Sequence, residues 1–312
     1  MRKWTLPIAM LAGVLLYFAY TSIHALDNTH ELANKTLGIV QPALIFSMLL
    51  LTFLKIKPSQ LHLSRWHAWA LLLQLSLFGL CAVVTKWFED SHWAVVIEGA
   101  MLCLICPTAT AAVVVTGKLG GNQPSLTTYT ILINLCVAIA VPLVVPWLHP
   151  SSSASFINDA TLILSKVFPL LFCPFVVAIA MRRFVPRLAQ WLTSFKDLAF
   201  YLWAVALALA IAVTVRSIVH SDCPWQYQAG IAVSSALACA IQFGMGRWIG
   251  AHYNEKVTVA QSLGQKNTVF AIWMGYTFLT PVTSIAGGFY SVWHNVYNSY
   301  QLAKVDNKAR KK

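Results

Sequence analysis

The sequence predicts an all-α integral membrane protein of ten transmembrane helices, built as an inverted repeat of five and five. Three observations carry this. Of the 312 residues, 58% are hydrophobic and 10% are charged, where a soluble domain carries roughly 25% charged residues. The loops between apolar segments alternate in charge. Two of those segments, the fourth and the ninth, are interrupted by polar residues at the same place in each half.

A span needs roughly 20 apolar residues, and ten segments fit, at about 5–24, 37–56, 66–87, 92–117, 124–147, 160–181, 195–219, 226–249, 256–277 and 280–301. The opening MRKWTLPIAMLAGVLLYFAY has the charge of a signal peptide. Its apolar run is too long and no small-residue cleavage site follows, so it is expected to be the first span. Basic residues collect on one side: Arg2 and Lys3, then Lys55, Lys57 and Arg65, Lys118, then Arg182, Arg183 and Arg187, then Arg247 and Lys256, and finally Lys304, Lys308, Arg310, Lys311 and Lys312. The other side holds Asp27, Glu31, Glu89, Asp90, Asp159 and Asp222, with Lys35, Lys86 and Arg216 the nearest basic residues. This pattern predicts an even number of spans and both termini in the cytoplasm, in the cell membrane. It also accounts for the net charge of +12 without nucleic acid, because the basic residues are spread over loops and tail. Trp4, Trp93, Trp147 and Trp225 lie near span ends, as interface anchors do.

Ten spans divide into residues 1–150, spans one to five, and 151–303, spans six to ten, followed by a basic tail at 304–312. Five being odd, the second half begins on the opposite side, which inverts the repeat. The Ser-rich stretch LHPSSSASFIND, 148–159, joins the halves.

The ninth segment reads VTVAQSLGQKNTVFAI, with Ser262-Leu263-Gly264-Gln265-Lys266-Asn267 at its middle. Its counterpart in the fourth is Cys106-Pro107-Thr108-Ala109-Thr110. Backbone at that depth leaves the helix only where it lines protein or a watery cavity, and paired broken spans facing a small solute are the usual core of a secondary transporter. Lys266 is the leading candidate residue, since charge and break coincide; the plainer alternative is a lysine that pins loose carbonyls. Glu98 is the other ionisable group deep in a span, nine residues before Pro107 and so about 13 Å along the helix. Lys166 is placed to snorkel. Thr108 and Thr110 follow the proline break, Thr130 and Asn134 share a face of the fifth span, Gln74 interrupts the third, and His294, Asn295 and Asn298 lie in the tenth. Each of these alone is more often an interhelical hydrogen bond than a ligand. Of seven cysteines, six lie in apolar segments and Cys223 in a loop. No disulfide framework, metal site or cofactor is expected, and Cys103 and Cys106 read as packing.

Together SLGQKN, CPTATAAVVVTGKLGGN and YSVWHNVYNS resemble the bile acid:sodium symporter superfamily, over nearly the whole chain. The resemblance implies a panel of spans 1, 2, 6 and 7, a core of spans 3–5 and 8–10, a crossing of spans 4 and 9 at their breaks, and substrate between panel and core. It also exposes departures. Sodium-coupled members carry Glu-x-Gly-x-Gln-Asn in the ninth span. Here the Glu position is Ser262 and the Gln position is Lys266, while Gly264 and Asn267 are kept. The Ser-Asn after the fourth-span break aligns with Ala112 and Val113. Oxygen and amide groups remain at Thr130, Asn134 and Gln74, but the carboxylate is gone.

The function expected is secondary transport of a small organic anion through the lipid bilayer. Sodium coupling is not expected. Two outcomes stay open for Lys266: a permanently charged lysine in a sodium-independent uniporter or exchanger and, favoured, a lysine that carries a proton as the coupling ion. Gln265, Asn267, Ser262, Thr108, Thr110, Thr130, Asn134, Gln74, Glu98, His294 and Asn295 complete the candidate substrate and ion site. A cationic Lys266 and two half-helix N-termini favour an anion. The alternatives are an arsenite-type efflux carrier, suggested by Cys106 at the break, and a membrane enzyme. The latter is disfavoured because HExxH (His30-Glu31 has no second His), GxSxG and Asp-rich diphosphate motifs are missing.

Overall fold

The computed structural model describes residues 5–23, 29–56, 58–150, 155–195 and 197–310. Arg2, Lys3, Trp4, Asp27, Lys57, Lys311 and Lys312, named above, and residues 151–154 of the Ser-rich join lie outside these. Among the described residues the chain is helical and contains no strand. Thirteen α-helices follow one another: α1 Thr5–Ser22, α2 His30–Leu54, α3 Arg65–Trp87, α4 Ala94–Ile105, α5 Ala111–Lys118, α6 Gln123–Leu148, α7 Phe156–Phe184, α8 Pro186–Ser194, α9 Leu198–Val219, α10 Trp225–Ala251, α11 Lys256–Gly264, α12 Thr268–Phe278 and α13 Pro281–Arg310.

Six of them, α2, α3, α6, α7, α9 and α10, are long and apolar enough to cross a membrane alone. The six have exposed faces of large apolar side chains, such as Leu72, Leu80, Leu143, Leu162, Val233 and Leu237. A helix that is apolar on its outer face has no water-soluble solution, and its environment is hydrocarbon. The segment expected to span 92–117 is two helices, α4 and α5, and that at 256–277 is α11 and α12.

Local chemistry explains the boundaries. Asn122 caps α6 by accepting from Ser125 N at 3.1 Å, and Ser155 caps α7 by accepting from Asn158 N at 3.4 Å. His67 Nδ1 accepts from Ser64 N at 3.0 Å at the start of α3. Cys106 precedes a proline, which disfavours the helical conformation; its φ/ψ of −50°/132° ends α4 there. Past Gly264, Gln265 turns extended at −92°/96°. Asn267 then caps α12 by accepting from Phe270 N at 3.2 Å.

Two sets of helices emerge from the packing. In one, α1 lies on α9, and α2 on α7 and α9. In the other, α4 packs on α3, α10 and α13, α11 on α10, and α12 on α13. They meet where α6 lies along α7 and where α12 and α13 touch α9. Two features went unforeseen in the sequence. The loop at 182–194 contains α8, whose Leu188 and Trp191 are exposed while Ala189 is buried against its neighbours. Lys166 sits 5.7 Å over the ring of Phe278.

Candidate functional site

The two breaks meet. Thr108 and Lys266 form an isolated antiparallel β-bridge. Ala109 N donates to Gln265 O at 2.8 Å, and Asn267 N donates to Pro107 O at 2.8 Å. Four half-helix ends buried in apolar surroundings would leave orphan backbone groups, and this short ladder satisfies several of them across the crossing. Side chains satisfy others. Thr108 Oγ1 donates to Ser262 O at 2.7 Å, Cys106 Sγ to Asn267 O at 2.9 Å, and Gln74 Nε2 to Ile105 O at 3.1 Å and Cys106 O at 3.0 Å. Tyr129 OH holds Gln74 in place by donating to its Oε1 at 2.8 Å, and Tyr290 OH donates to Gly264 O at 2.8 Å.

Lys266 is 1% exposed, and its Nζ has no hydrogen-bond partner in the protein. The pinning role is therefore performed by Gln74, Thr108 and Tyr290, leaving the ammonium free to meet something else. Its electrostatic neighbours among titratable groups are the thiols of Cys106, Cys103 and Cys239. Ser262 Oγ and Gln265 Oε1, on either side of Gly264, are also buried without protein partners. Backbone crowding fixes this geometry: a Cβ on Gly264 would fall 2.4 Å from the Phe243 ring, and one on Gly246 would fall 2.7 Å from Ala260 Cα.

The structure thus gathers Lys266, Gln265, Asn267, Ser262, Thr108 and Gln74 at one place. Thr110 stands at the N-cap of α5 without a side-chain capping bond. Thr130 Oγ1 donates to Leu126 O of its own helix at 3.0 Å. Asn134, one turn on, is buried with neither amide atom paired to protein. Ala112 and Val113 occupy α5 as expected. His294 and Asn295 pair with each other at 2.8 Å on α13. Glu98 belongs elsewhere: its Oε1 lies 3.0 Å from Nε2 of His149, just past α6. That bond holds the His149 proton and raises its pKa above the ordinary value, against the opposing effect of burial.

Sequence reasoning missed Tyr129, Tyr290, Gln242, Gln261 and His149. Gln242 Nε2 donates to Tyr290 OH at 3.0 Å, and Gln261 Nε2 to Asn298 Oδ1 at 2.9 Å. Both glutamines interrupt apolar runs, the same signal that singles out Gln74.

Two interrupted helices crossing inside an apolar bundle, with helix ends and a buried amine at the crossing, are the arrangement of membrane transporters. Residues 7–304 match the SBF-like CPA transporter family, and the chain belongs to this family of bile acid:sodium symporter-like membrane proteins. It is also 21% identical, over 227 residues, to a protein of Bacillus subtilis (strain 168) described as "Uncharacterized sodium-dependent transporter YocS". That alignment covers 69% of this chain and 65% of the relative's length.

Proposed function

We propose that the protein is a secondary transporter of a small organic anion, in which Lys266 replaces a coupling sodium ion. The observation that carries this is the Lys266 Nζ, buried at the crossing with no protein partner. A fixed cation there offers three donors to an anion and to nearby oxygens, and it repels sodium. Ser262 and Lys266 stand where sodium-coupled members of the superfamily carry Glu and Gln. The sodium dependence in the relative's name is therefore not carried over. When water reaches the crossing, the ammonium can release its proton and regain it on the other side, which makes a proton the proposed coupling ion.

In this reading the membrane is crossed ten times: by the six long helices, by α1, by α4 with α5, by α11 with α12, and by α13. Residues 1–150 and 151–303 form the inverted halves. The α1, α2, α7, α9 set is the panel, the rest is the core, and both termini face the cytoplasm. The anion binds between panel and core, near Lys266, Gln265, Asn267 and Thr108. Asn134, Thr130 and Thr110 lie on the α5 and α6 side, and His294 and Asn295 on the α13 side. Cys106 gives its thiol to Asn267 O, so it serves the crossing, and the arsenite reading takes second place.

The test is uptake of labelled taurocholate, a monocarboxylate and a dicarboxylate into proteoliposomes under separate sodium and proton gradients. Uptake of at least one anion driven by protons and indifferent to sodium is expected. Sodium-driven uptake with no proton response overturns the reading.

A further inference from the structure

Along α13, Tyr290, His294, Asn298 and Gln301 recur every three or four residues, so they share one face. All four are buried. The face begins at the crossing, where Tyr290 OH bonds Gly264 O. It ends where Gln301 Oε1 accepts from the exposed Arg247 at 2.9 Å. Between these ends Asn298 Oδ1 accepts from Gln261 and, at 3.4 Å, from Gln301. Polar groups on a helix face packed inside a membrane bundle are expected to pair with one another across helices. This one is polar for its whole length, and its hydrogen bonds do not close. Asn298 Nδ2, Gln261 Oε1, His294 Nδ1 and Gln242 Oε1 are buried and have no protein partner.

The unpaired atoms include donors and acceptors. Asn295 Nδ2 donates to Ser291 O at 2.7 Å and faces His294 Nε2 at 2.8 Å. Nε2 therefore accepts, and the neutral ring carries its proton on Nδ1. That N–H and the Asn298 amide are donors, while the two glutamine oxygens are acceptors. Each left bare would be destabilising, whereas a buried water typically bonds about three such groups. Charged groups stand at the two ends, Lys266 beyond Gly264 and Arg247 at the surface, and among the described residues none stands between them on this face.

We propose that this face holds a file of ordered waters that joins the Lys266 break to the Arg247 surface and carries the proton exchanged by Lys266. The second clause rests on the proton reading of Lys266; the first does not. In the step, an Nζ–H bond breaks and the proton passes to the adjoining water. It then moves by successive O–H exchange along the file and leaves to bulk water. His294 keeps its own proton and orients the file by donating from Nδ1.

X-ray hydroxyl-radical footprinting of the whole protein in detergent tests the waters directly, because radicals form where water sits. Tyr129 is the internal control: it is as fully buried as Tyr290, and its OH bonds Gln74 alone. Labelling of Tyr290 and His294 several-fold faster than Tyr129 is expected, and falls in Asn298→Leu. Equal, slow labelling of all three in the unmodified protein overturns the proposal, whatever drives transport and however the variant folds. The role is tested by proton-driven uptake of an anion in proteoliposomes, where Asn298→Leu should slow the proton-driven component several-fold. Unchanged proton-driven uptake in a folded Asn298→Leu, or uptake driven by sodium alone, overturns the route. In the last case the Lys266 reading fails while the labelling result stands.

Discussion

At the scale of single residues, the chemistry concentrates in side chains whose partners are fewer than their polar atoms. Lys266→Gln removes the charge and restores the amide of sodium-coupled relatives. It should abolish proton dependence of uptake without conferring tight sodium binding, because Ser262 supplies no carboxylate; ion-gradient uptake and sodium-dependent thermal shifts measure both. His149 gives a second expectation. Its pKa is raised in the folded protein by the bond to Glu98. The unfolded value is about 6.5. The pair's contribution to stability is therefore complete below about 6.5 and lost as pH rises through the higher folded value. Melting temperature against pH should fall across that window in the native protein and lose that component in His149→Gln. Gly264→Ala drives a methyl into the Phe243 ring and should destabilise by about 1–3 kcal/mol, with Phe243→Leu restoring part of the folded yield. Lys266 and Glu98 are legible in the sequence because ionisable groups in apolar segments are rare. That Glu98 meets His149 is not legible, since the two are joined by tertiary packing alone.

At the scale of elements, the interrupted helices were readable and their connection was not. Pro107 and Gly264 announce the breaks through known backbone preferences. The register that sets Thr108 opposite Lys266 depends on how α4, α5, α11 and α12 pack, which no local signal encodes. The same holds for Gln74: its interruption of α3 is visible, but its two carbonyl partners on another helix are not. Gln74→Leu should leave Ile105 O and Cys106 O without this donor and destabilise by about 1–3 kcal/mol, read as a lower thermal transition in detergent. The short helix α8 was missed because its nine residues lie in a basic loop. Its signature was present: Pro186 in the first turn and apolar residues at 188, 189, 191 and 192.

At the scale of the whole molecule, composition and loop charge foretold a helical membrane protein, and the fold is helical with apolar exposed faces. The proposed ten crossings are tested by topology. A reporter active only outside the cell should work when inserted at Ser152, and a fluorescent fusion after Lys312 should mature in the cytoplasm. A cytoplasmic Ser152 would break the count. Among the described residues, six helices are apolar and long enough to span alone. The broken spans and α13 are too short or too polar for that measure, because they trade hydrocarbon contact for contact with other helices.

The bridge between Thr108 and Lys266 also sets a timetable for synthesis. The partners are 158 residues apart (266 − 108), and a chain grows at about 5–20 residues per second. For roughly 8–30 s, then, the fourth segment's open carbonyls and amides are in the nascent chain while the segment that will complete them is still unmade. The first broken segment must wait in the insertion machinery, at the lipid interface or against a chaperone. A chain stopped after Ala251 should be recognised as unfinished and degraded faster than the full-length protein in a pulse-chase, and co-expressing residues 252–312 as a separate piece should lengthen its life.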